Sequence, residues 1–352
     1  MELEFKEILA EHGAKYPYME IQDYVKLAYQ NEFGPAHLAE KNRLQKGIQS
    51  ELEQISGQEG VYVTEPVGNG LSRLSLCGLP HPDTDAQLLA ELMILTMEHH
   101  SGTMEVFERK LGTLEWKLGA EAKEWLDAYR ADGCRPVSHS EKYREAYQPH
   151  YRVIKSEYAN WFPVLSEIRN LLEQQRSEER PVMISIDGRC GSGKSSLAAV
   201  IREVFSCNVV HMDDFYLPPQ MRSADWKEIP AGNMDLERFR KEVLQPVKEG
   251  KNVLYRPFDC QTGQLVEPSV IPAAPLTVIE GSYSQHPTLA EDYDLKVFLT
   301  CDPEVQRKRL TDREGDGVKS FFTHWMPMEE RYFKAFDIEK NSDMRVDTGC
   351  FR

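Results

Sequence analysis

The sequence lacks an apolar run long enough to span a lipid bilayer. The best stretch, Leu88 to Met97, is interrupted by Glu91, whereas a membrane-spanning helix needs about 20 predominantly apolar residues. The first residues carry acids where a secretory signal peptide has a basic end and an apolar segment. We therefore expect a protein that neither crosses a membrane nor enters the secretory pathway.

Cysteine pairs at metal-binding or redox spacing are also missing. The seven cysteines are scattered, odd in number and free of any CxxC spacing. Disulfide frameworks and zinc sites are therefore disfavoured, and a reducing cytoplasm is the location we expect.

Positive charge is in deficit, with 42 Lys and Arg against 57 Asp and Glu and a net charge of −15. The average field of such a chain repels a polyanion, so nucleic acid is disfavoured as a partner. A small anionic ligand needs only a local pocket of amides and a few cations. Such a ligand is therefore compatible with the sequence.

The length of 352 residues predicts two domains, and the patterning changes near residue 178. Residues 1–177 read as a mostly helical α+β domain, with a hairpin or small sheet at 61–80. Residues 178–352 alternate short apolar runs with helical segments, which predicts an α/β domain with a doubly wound, mainly parallel sheet. The strand candidates are residues 182–187, 208–212, 252–255, 276–280 and 295–300.

A complete phosphate-binding pattern follows the first of these strands. GxxxxGK[ST] is matched by Gly188-Arg189-Cys190-Gly191-Ser192-Gly193-Lys194-Ser195, with Ser196 next in the helix. Glycines let backbone N–H groups converge on phosphate oxygens, and the helix adds its positive end. Lys194 can reach the outer phosphates and Ser195 can hold Mg²⁺. The segment therefore predicts a site for ATP and Mg²⁺.

Carboxylates stand at the ends of two further predicted strands. Glu280 ends LTVIE and is a candidate to organise Mg²⁺, although a surface acid at a strand end is the alternative. Asp213 and Asp214 end the second strand, where one carboxylate could accept the proton of an attacking hydroxyl. Paired acids at a strand end can also cap the next turn.

A basic stretch stands out in this acidic chain and contains Arg307, Lys308, Arg309 and Arg313. Arginines on a mobile lid could neutralise charge on a transferred phosphoryl group. The alternative is a solvated helix face. We take Arg309 and Arg313 as candidate catalytic residues.

Seven segments, in order, resemble the uridine kinase/phosphoribulokinase branch of P-loop kinases. They are IDGRCGSGKSS, HMDDFYLP, NMDLERF, YRPFDCQTGQ, VIEGSYS, the basic stretch and THWMPMEERYF. The resemblance covers about residues 181–335. It implies a kinase that uses Mg-ATP to phosphorylate a hydroxyl of a small metabolite, such as uridine or cytidine.

The resemblance also implies roles for single positions. Asp213 matches the family's catalytic base and Glu280 its Mg²⁺-organising acid. Candidate acceptor-binding residues are Asp214, Tyr216, Asp235, Phe258 and Asp259. Phe258 stands where uridine kinases usually have tyrosine, and those enzymes have no counterpart of the long N-terminal half. A non-nucleoside alcohol (pantothenate-like or a sugar acid) therefore stays open as acceptor, as does a nucleotide-sensing regulator.

The N-terminal half carries polar clusters without a recognisable reaction motif. They comprise Asp23, Tyr29 and Gln30; Glu65, Asn69 and Arg73; and His139, Tyr143, Tyr147, His150, Tyr151 and Arg152. Either this half binds a second ligand or shapes the acceptor pocket, or it is a helical scaffold or dimerisation module. The sequence leaves that choice open, and with it the formation of a homo-oligomer.

Overall fold

The computed structural model describes residues 2–35, 41–56, 60–176 and 180–351. The chain divides into two compact units, Met1–Glu167 (unit 1) and Ile168–Arg352 (unit 2). The boundary predicted between 177 and 178 lies outside the described residues. Within the described part of the chain, no helix combines the length and hydropathy needed to cross a membrane.

Unit 1 is built on a three-stranded antiparallel sheet in the order β1–β2–β3. Its strands are β1 (Thr64–Gly68), β2 (Leu71–Ser75) and β3 (Tyr151–Lys155). Asn69 and Gly70 join β1 to β2 with positive φ angles of 55° and 72°, the backbone that a two-residue hairpin favours. The hairpin predicted within 61–80 is confirmed, and a distant third strand completes the sheet.

Helices account for most of the rest of unit 1. They are α1 (Glu2–Lys15), α2 (Ile21–Phe33), α3 (Lys41–Gln54), α4 (Pro82–His99), α5 (Met104–Leu118), α6 (Ala120–Ala131), α7 (Glu141–Tyr147) and α8 (Ser156–Gln175), which contains the boundary between the units. The Ser140 side chain caps α7 by accepting the Tyr143 N–H at 3.1 Å. Buried apolar residues of α1, α2 and α5 form the core, among them Leu9, Leu27 and Phe107.

Unit 2 contains a five-stranded, fully parallel sheet in the order β12–β11–β4–β10–β5. The strands are β4 (Val182–Gly188), β5 (Asn208–His211), β10 (Leu276–Glu280), β11 (Leu295–Thr300) and β12 (Met344–Asp347). Every residue of the central strand β4 is buried, as expected of a strand covered on both faces. The P-loop NTPase fold with a doubly wound sheet is therefore confirmed.

Helices and short ribbons complete unit 2. The helices are α9 (Lys194–Val204), α10 (Leu236–Phe239), α11 (Gln245–Lys248), α12 (Pro287–Ala290), α13 (Pro303–Glu314), α14 (Val318–Ser320), α15 (Met326–Ala335) and α16 (Ile338–Asn341). Single π-helical turns join α10 to α11 and α14 to α15. Two antiparallel ribbons pair β6 (Val253–Tyr255) with β9 (Ser269–Ile271) and β7 (Phe258–Asp259) with β8 (Gln264–Leu265).

One predicted strand, residues 252–255, does not join the main parallel sheet. The run at 252–255 forms β6, which pairs with β9 in a separate antiparallel ribbon and not with the parallel sheet. The fifth parallel strand is β12, whose side chains alternate between half-buried and exposed. In the sheet, β10 lies on one side of β4 and β11, the next parallel strand along the chain, lies on the other side. This change of direction places a topological switch point at the C-terminal end of β4.

Candidate functional site

The phosphate-binding loop lies at this switch point, between the last residue of β4 and the first residue of α9. Gly188, Gly191 and Gly193 have φ angles of 139°, 76° and 98°, in the region that favours glycine. A Cβ atom at Gly188 would lie 2.1 Å from the Leu299 carbonyl oxygen of β11. The close approach of two strands therefore requires glycine at the start of the loop.

Backbone amides of the loop are available for an anion. Among the described residues, the N–H groups of Gly191 and Gly193 have no hydrogen-bond acceptor, and the first N–H groups of α9 lack partners within the helix. The Lys194 ammonium donates to the carbonyl oxygens of Gly188 and Arg189 at 2.7 and 3.1 Å. The lysine thus lies across the loop, where it can neutralise a bound phosphate.

Ser195, Glu280 and His211 form a connected group beside the loop. The Ser195 hydroxyl donates to Glu280 Oε1 at 3.2 Å, and His211 Nδ1 lies 2.7 Å from the same oxygen. The hydrogen bond to Glu280 raises the pKa of His211. Burial opposes ionisation of Glu280, but the hydrogen bond from His211 and the charge of Lys194 outweigh it and lower the pKa of Glu280. The hydroxyl and carboxylate oxygens fit the oxygen-donor chemistry of Mg²⁺.

Asp213 is the exposed residue of a single 3₁₀ turn, Met212–Phe215, which directly follows β5. The Tyr216 hydroxyl donates to Asp213 Oδ1 at 2.8 Å. The Tyr216 ring lies 6.2 Å from the ring of buried Phe258 and 6.1 Å from that of Trp325, measured between centroids. A carboxylate and an aromatic wall therefore occur together, although the sequence analysis did not single out Trp325.

The other candidate acceptor-binding acids have local partners. Asp214 accepts the Tyr255 hydroxyl at 2.7 Å, and burial raises the pKa of Asp214. Asp235 caps α10 by accepting the backbone N–H of Arg238 at 3.2 Å and also pairs with its guanidinium. Asp259 accepts the Gln261 N–H at 2.8 Å and so closes a turn. Asp235 therefore caps a helix and Asp259 closes a turn, which are structural contacts within their own segments.

Within the P-loop, Arg189 and Cys190 make contacts that point away from phosphate binding. The Arg189 guanidinium pairs with Glu330 at 2.6 Å and lies 5.6 Å from the ring centroids of Phe298 and Phe333. The Arg189 N–H donates to the Leu299 carbonyl. The Cys190 carbonyl accepts the Gln306 side-chain amide at 2.8 Å, and burial raises the pKa of the Cys190 thiol. Both residues anchor the loop to its surroundings.

Serines 192 and 196 differ in their surroundings. Ser192 is fully buried, and its hydroxyl has no partner among the described residues. Its carbonyl oxygen accepts the Thr348 hydroxyl at 2.8 Å. Ser196 lies exposed in the first turn of α9, next to the N–H groups that the helix leaves unpaired.

Two buried carboxylates support the loop, and the sequence analysis missed both. Asp187 accepts hydrogen bonds from the Gly188 N–H at 2.7 Å and the Tyr332 hydroxyl at 2.8 Å, and burial raises the pKa of Asp187 to about 6. Glu329 of α15 accepts the Cys190 N–H. An acid directly before the glycine motif is a local signal for Asp187. Glu329 is remote in sequence and leaves no such signal.

The predicted lid arginines lie in α13, and their contacts differ. Arg309 donates to the Thr348 hydroxyl and carbonyl at 2.8 and 2.7 Å and to the Gly191 carbonyl at 3.4 Å. Arg313 is exposed and pairs with Glu314 at 2.5 Å. The guanidinium of Arg307 lies 4.9 Å from the Phe322 ring centroid. Arg309 therefore fastens α13 to the P-loop, while Arg313 lies on a solvated face.

Comparison with known proteins is consistent with this geometry. The model of the Phosphoribulokinase / Uridine kinase family matches residues 183–316, all within unit 2. The resemblance drawn from the motifs is confirmed for this region. It contains the P-loop, Asp213, Glu280 and the basic stretch.

Individual relatives match only parts of the chain. Uridine kinase of Saccharomyces cerevisiae is 33% identical over 150 residues, which cover 38% of this chain and 29% of that enzyme. A protein described as a possible uridine kinase from Bacillus stearothermophilus is 19% identical with a TM-score of 0.38, covering 51% of this chain and 100% of that one. Shikimate kinase from Bacteroides thetaiotaomicron is 15% identical with a TM-score of 0.24, and the match covers 47% of this chain and 84% of that kinase.

Proposed function

We propose that this protein is a Mg-ATP-dependent kinase that transfers the γ-phosphoryl group of ATP to a hydroxyl of a small metabolite. One arrangement carries the proposal. The P-loop, Glu280 and Asp213 lie at the C-terminal ends of three adjacent parallel strands, β4, β10 and β5. Ligands of open α/β sheets bind at that edge.

The phosphate end of the site is assigned to the loop and its neighbours. Lys194 and the unpaired amides would bind the phosphates of ATP, and the Ser195 hydroxyl and Glu280 carboxylate would hold Mg²⁺. When bound, Mg²⁺ supplies neutralisation of the phosphate charge. His211 keeps Glu280 ionised and oriented through their 2.7 Å contact.

Asp213 is the proposed base. The acceptor oxygen forms a bond to the γ-phosphorus as the bond between that phosphorus and the β–γ bridging oxygen breaks, and ADP leaves. The hydroxyl proton passes to the Asp213 carboxylate. Tyr216 orients that carboxylate through its hydrogen bond of 2.8 Å.

A nucleoside such as uridine or cytidine is the acceptor that the surroundings of Asp213 favour. The Tyr216, Phe258 and Trp325 rings lie together beside the carboxylate, and aromatic faces bind flat bases by stacking. A sugar acid would instead require a cation for its carboxylate. We place this activity in the cytoplasm, a proposal that the seven unpaired cysteines support.

ADP release from Mg-ATP by the purified chain, across nucleosides, sugars, sugar acids and pantothenate-like alcohols, tests the proposal. Stimulation by uridine or cytidine well above the other alcohols is the expected result. Stimulation only by a different alcohol would keep the kinase and reject the nucleoside. ATP binding without stimulation by any acceptor would favour a nucleotide sensor.

Two variants separate catalysis from binding. Lys194→Ala should lower turnover by about 10²–10³-fold while the protein stays folded. Asp213→Asn should leave Mg-ADP affinity unchanged and lower turnover by about 10²–10⁴-fold. Asp225→Asn changes an exposed acid further along the chain; it is the matched control and should retain full activity. Wild-type turnover in Asp213→Asn would remove the proposed base.

A further inference from the structure

Unit 1 contains a pocket of about 700 Å³. Cavities of roughly 300–1,000 Å³ accommodate small-molecule ligands. Polar side chains dominate one part of its wall: Lys26, Gln30, Arg43, His139, Tyr151 and Arg152. Apolar residues, including Leu44, Met93 and Val153, form another part. Gln30, His139, Tyr151 and Arg152, which the sequence left without a role, therefore meet around one cavity.

The side chains of Asp23, His139 and Tyr151 form a hydrogen-bonded series at the polar side of the pocket. Asp23 is fully buried, and its Oδ1 atom lies 2.7 Å from His139 Nδ1. Hydrogen bonds from His139 and Ser140 outweigh burial and lower the pKa of Asp23, whereas burial lowers the pKa of His139 to about 4. The ionised carboxylate therefore accepts the Nδ1–H of a neutral imidazole. His139 Nε2 is left to accept the Tyr151 hydroxyl at 2.5 Å.

The buried Arg73 contacts two of the pocket-lining residues, Gln30 and Tyr151. The Arg73 guanidinium is 3% exposed and donates twice to Gln30 Oε1, at 3.0 and 2.8 Å. That contact orients the amide so that Gln30 Nε2 donates to the Tyr151 hydroxyl at 3.1 Å. Arg73 also lies 4.6 Å from the Tyr151 ring centroid and pairs with Glu65 at 3.1 Å. The wall is thus held rigid before any ligand arrives, as binding sites require.

Cations outnumber anions among the described residues that line the pocket. Lys26 donates to the Val137 carbonyl at 3.0 Å, and in the described residues no carboxylate lies within 4.0 Å of its ammonium. Burial lowers the pKa of Lys26 to about 8. Arg152 pairs with Glu51 at 2.6 Å, and Arg43 is exposed. Among the lining residues that the structure describes, three cations therefore face one carboxylate, in a chain whose net charge is −15.

We propose that this pocket binds a small metabolite through its phosphate or carboxylate group, with Lys26, Arg43 and Arg152 as cationic ligands. An anion would add an oppositely charged partner to the half-buried Lys26 ammonium, whose hydrogen bond goes to the uncharged Val137 carbonyl. Asp23, His139, Gln30 and Arg73 act as positioning residues that hold the Tyr151 wall. The site belongs to unit 1 alone, so it does not depend on the proposed kinase activity.

Isothermal titration of the 352-residue chain with three probes tests this site: inorganic phosphate, uridine 5′-monophosphate and citrate. The Lys194→Ala background removes the main cation of the P-loop from the measurement. We expect at least one probe to bind saturably, with one site per chain, below about 10 mM. The probe that binds distinguishes a phosphate ligand from a carboxylate ligand.

Pocket variants locate the binding. Lys26→Gln and Arg43→Gln should each weaken it by about tenfold or more, as loss of a charge-assisted contact predicts. Arg43 is exposed, so its variant tests the site without disturbing the fold. Lys123→Gln, on the exposed face of α6, is the matched control and should bind like the parent. Failure of all three probes to bind, or binding that both pocket variants leave unchanged, would overturn the proposal.

Discussion

The carboxylate of Glu329 accepts a hydrogen bond from the backbone N–H of Cys190, with 3.0 Å between oxygen and nitrogen. Its second oxygen accepts the Ser282 hydroxyl at 2.5 Å, and the side chain is 6% exposed. One residue of α15 therefore joins the P-loop to the segment that follows β10. The shape of the phosphate site depends on a helix more than a hundred residues downstream.

Glu329→Ala should lower the free energy of unfolding by about 1–3 kcal/mol, because the Cys190 N–H loses its acceptor and the Ser282 hydroxyl keeps only the Gly188 carbonyl at 3.4 Å. Urea unfolding followed by circular dichroism measures the change. Glu304→Ala is the matched control, since Glu304 is exposed in the first turn of α13. Equal stability of the two variants would show that the contact contributes little.

Gly188→Ala should lower the free energy of unfolding by about 1–3 kcal/mol or more, because the new Cβ would lie 2.1 Å from the Leu299 carbonyl oxygen and φ at this position is +139°. The same distortion of the loop should weaken Mg-ADP binding. Thermal unfolding with and without Mg-ADP measures both effects. Gly112→Ala in α5 is the comparison, since the added Cβ would meet no atom within 4 Å apart from the backbone of its own helix. That substitution should stabilise the protein by roughly 0.5–1 kcal/mol.

His211→Gln should change the pH dependence of stability. The hydrogen bond to Glu280 raises the pKa of His211 in the folded state above 6.5. The resulting stabilisation is complete below pH 6.5 and disappears as the pH rises through the folded-state value. Wild type should therefore exceed His211→Gln in melting temperature at about pH 6, with the gap narrowing towards about pH 8.5. A gap that stays constant over this range would exclude proton-linked stabilisation by His211.

Arg309→Gln and Arg313→Gln separate an anchoring role from a lid role. Arg309 makes two short hydrogen bonds to Thr348, so its variant should lose about 1–3 kcal/mol of stability. Arg313 is exposed, so its variant should stay within about 0.5 kcal/mol of wild type. Turnover by the stable Arg313→Gln protein then reports on the lid hypothesis directly. Unchanged turnover would remove Arg313 from the catalytic residues.

Contiguous features of the site could be predicted from sequence. The loop from Gly188 to Ser195 combines glycine positions, a lysine and a flanking strand and helix in one short segment. Asp213 and Glu280 could be predicted as neighbours of this loop because acids at the C-terminal ends of parallel strands meet at one edge of a sheet. The Ser195–Glu280 contact of 3.2 Å agrees with that expectation.

Features that depend on tertiary pairing could not be predicted. A short apolar run such as 252–255 does not specify its partner, and β6 pairs antiparallel with β9 outside the main sheet. Glu329 contacts Cys190 only because α15 packs near the loop. In unit 1, Asp23 and His139 meet across 116 residues of sequence. Their polar character was visible in the sequence, but their contact behind the pocket was not.

The central strand β4 has a consequence for synthesis of the chain. Its seven residues are buried, and both neighbouring strands, which begin at Leu276 and Leu295, leave the ribosome long after β4 does. Until then, an apolar segment with two unpaired edges is exposed to other chains and to chaperones. Arrest of translation between β4 and β11 should therefore yield nascent chains that aggregate, and complete chains that do not.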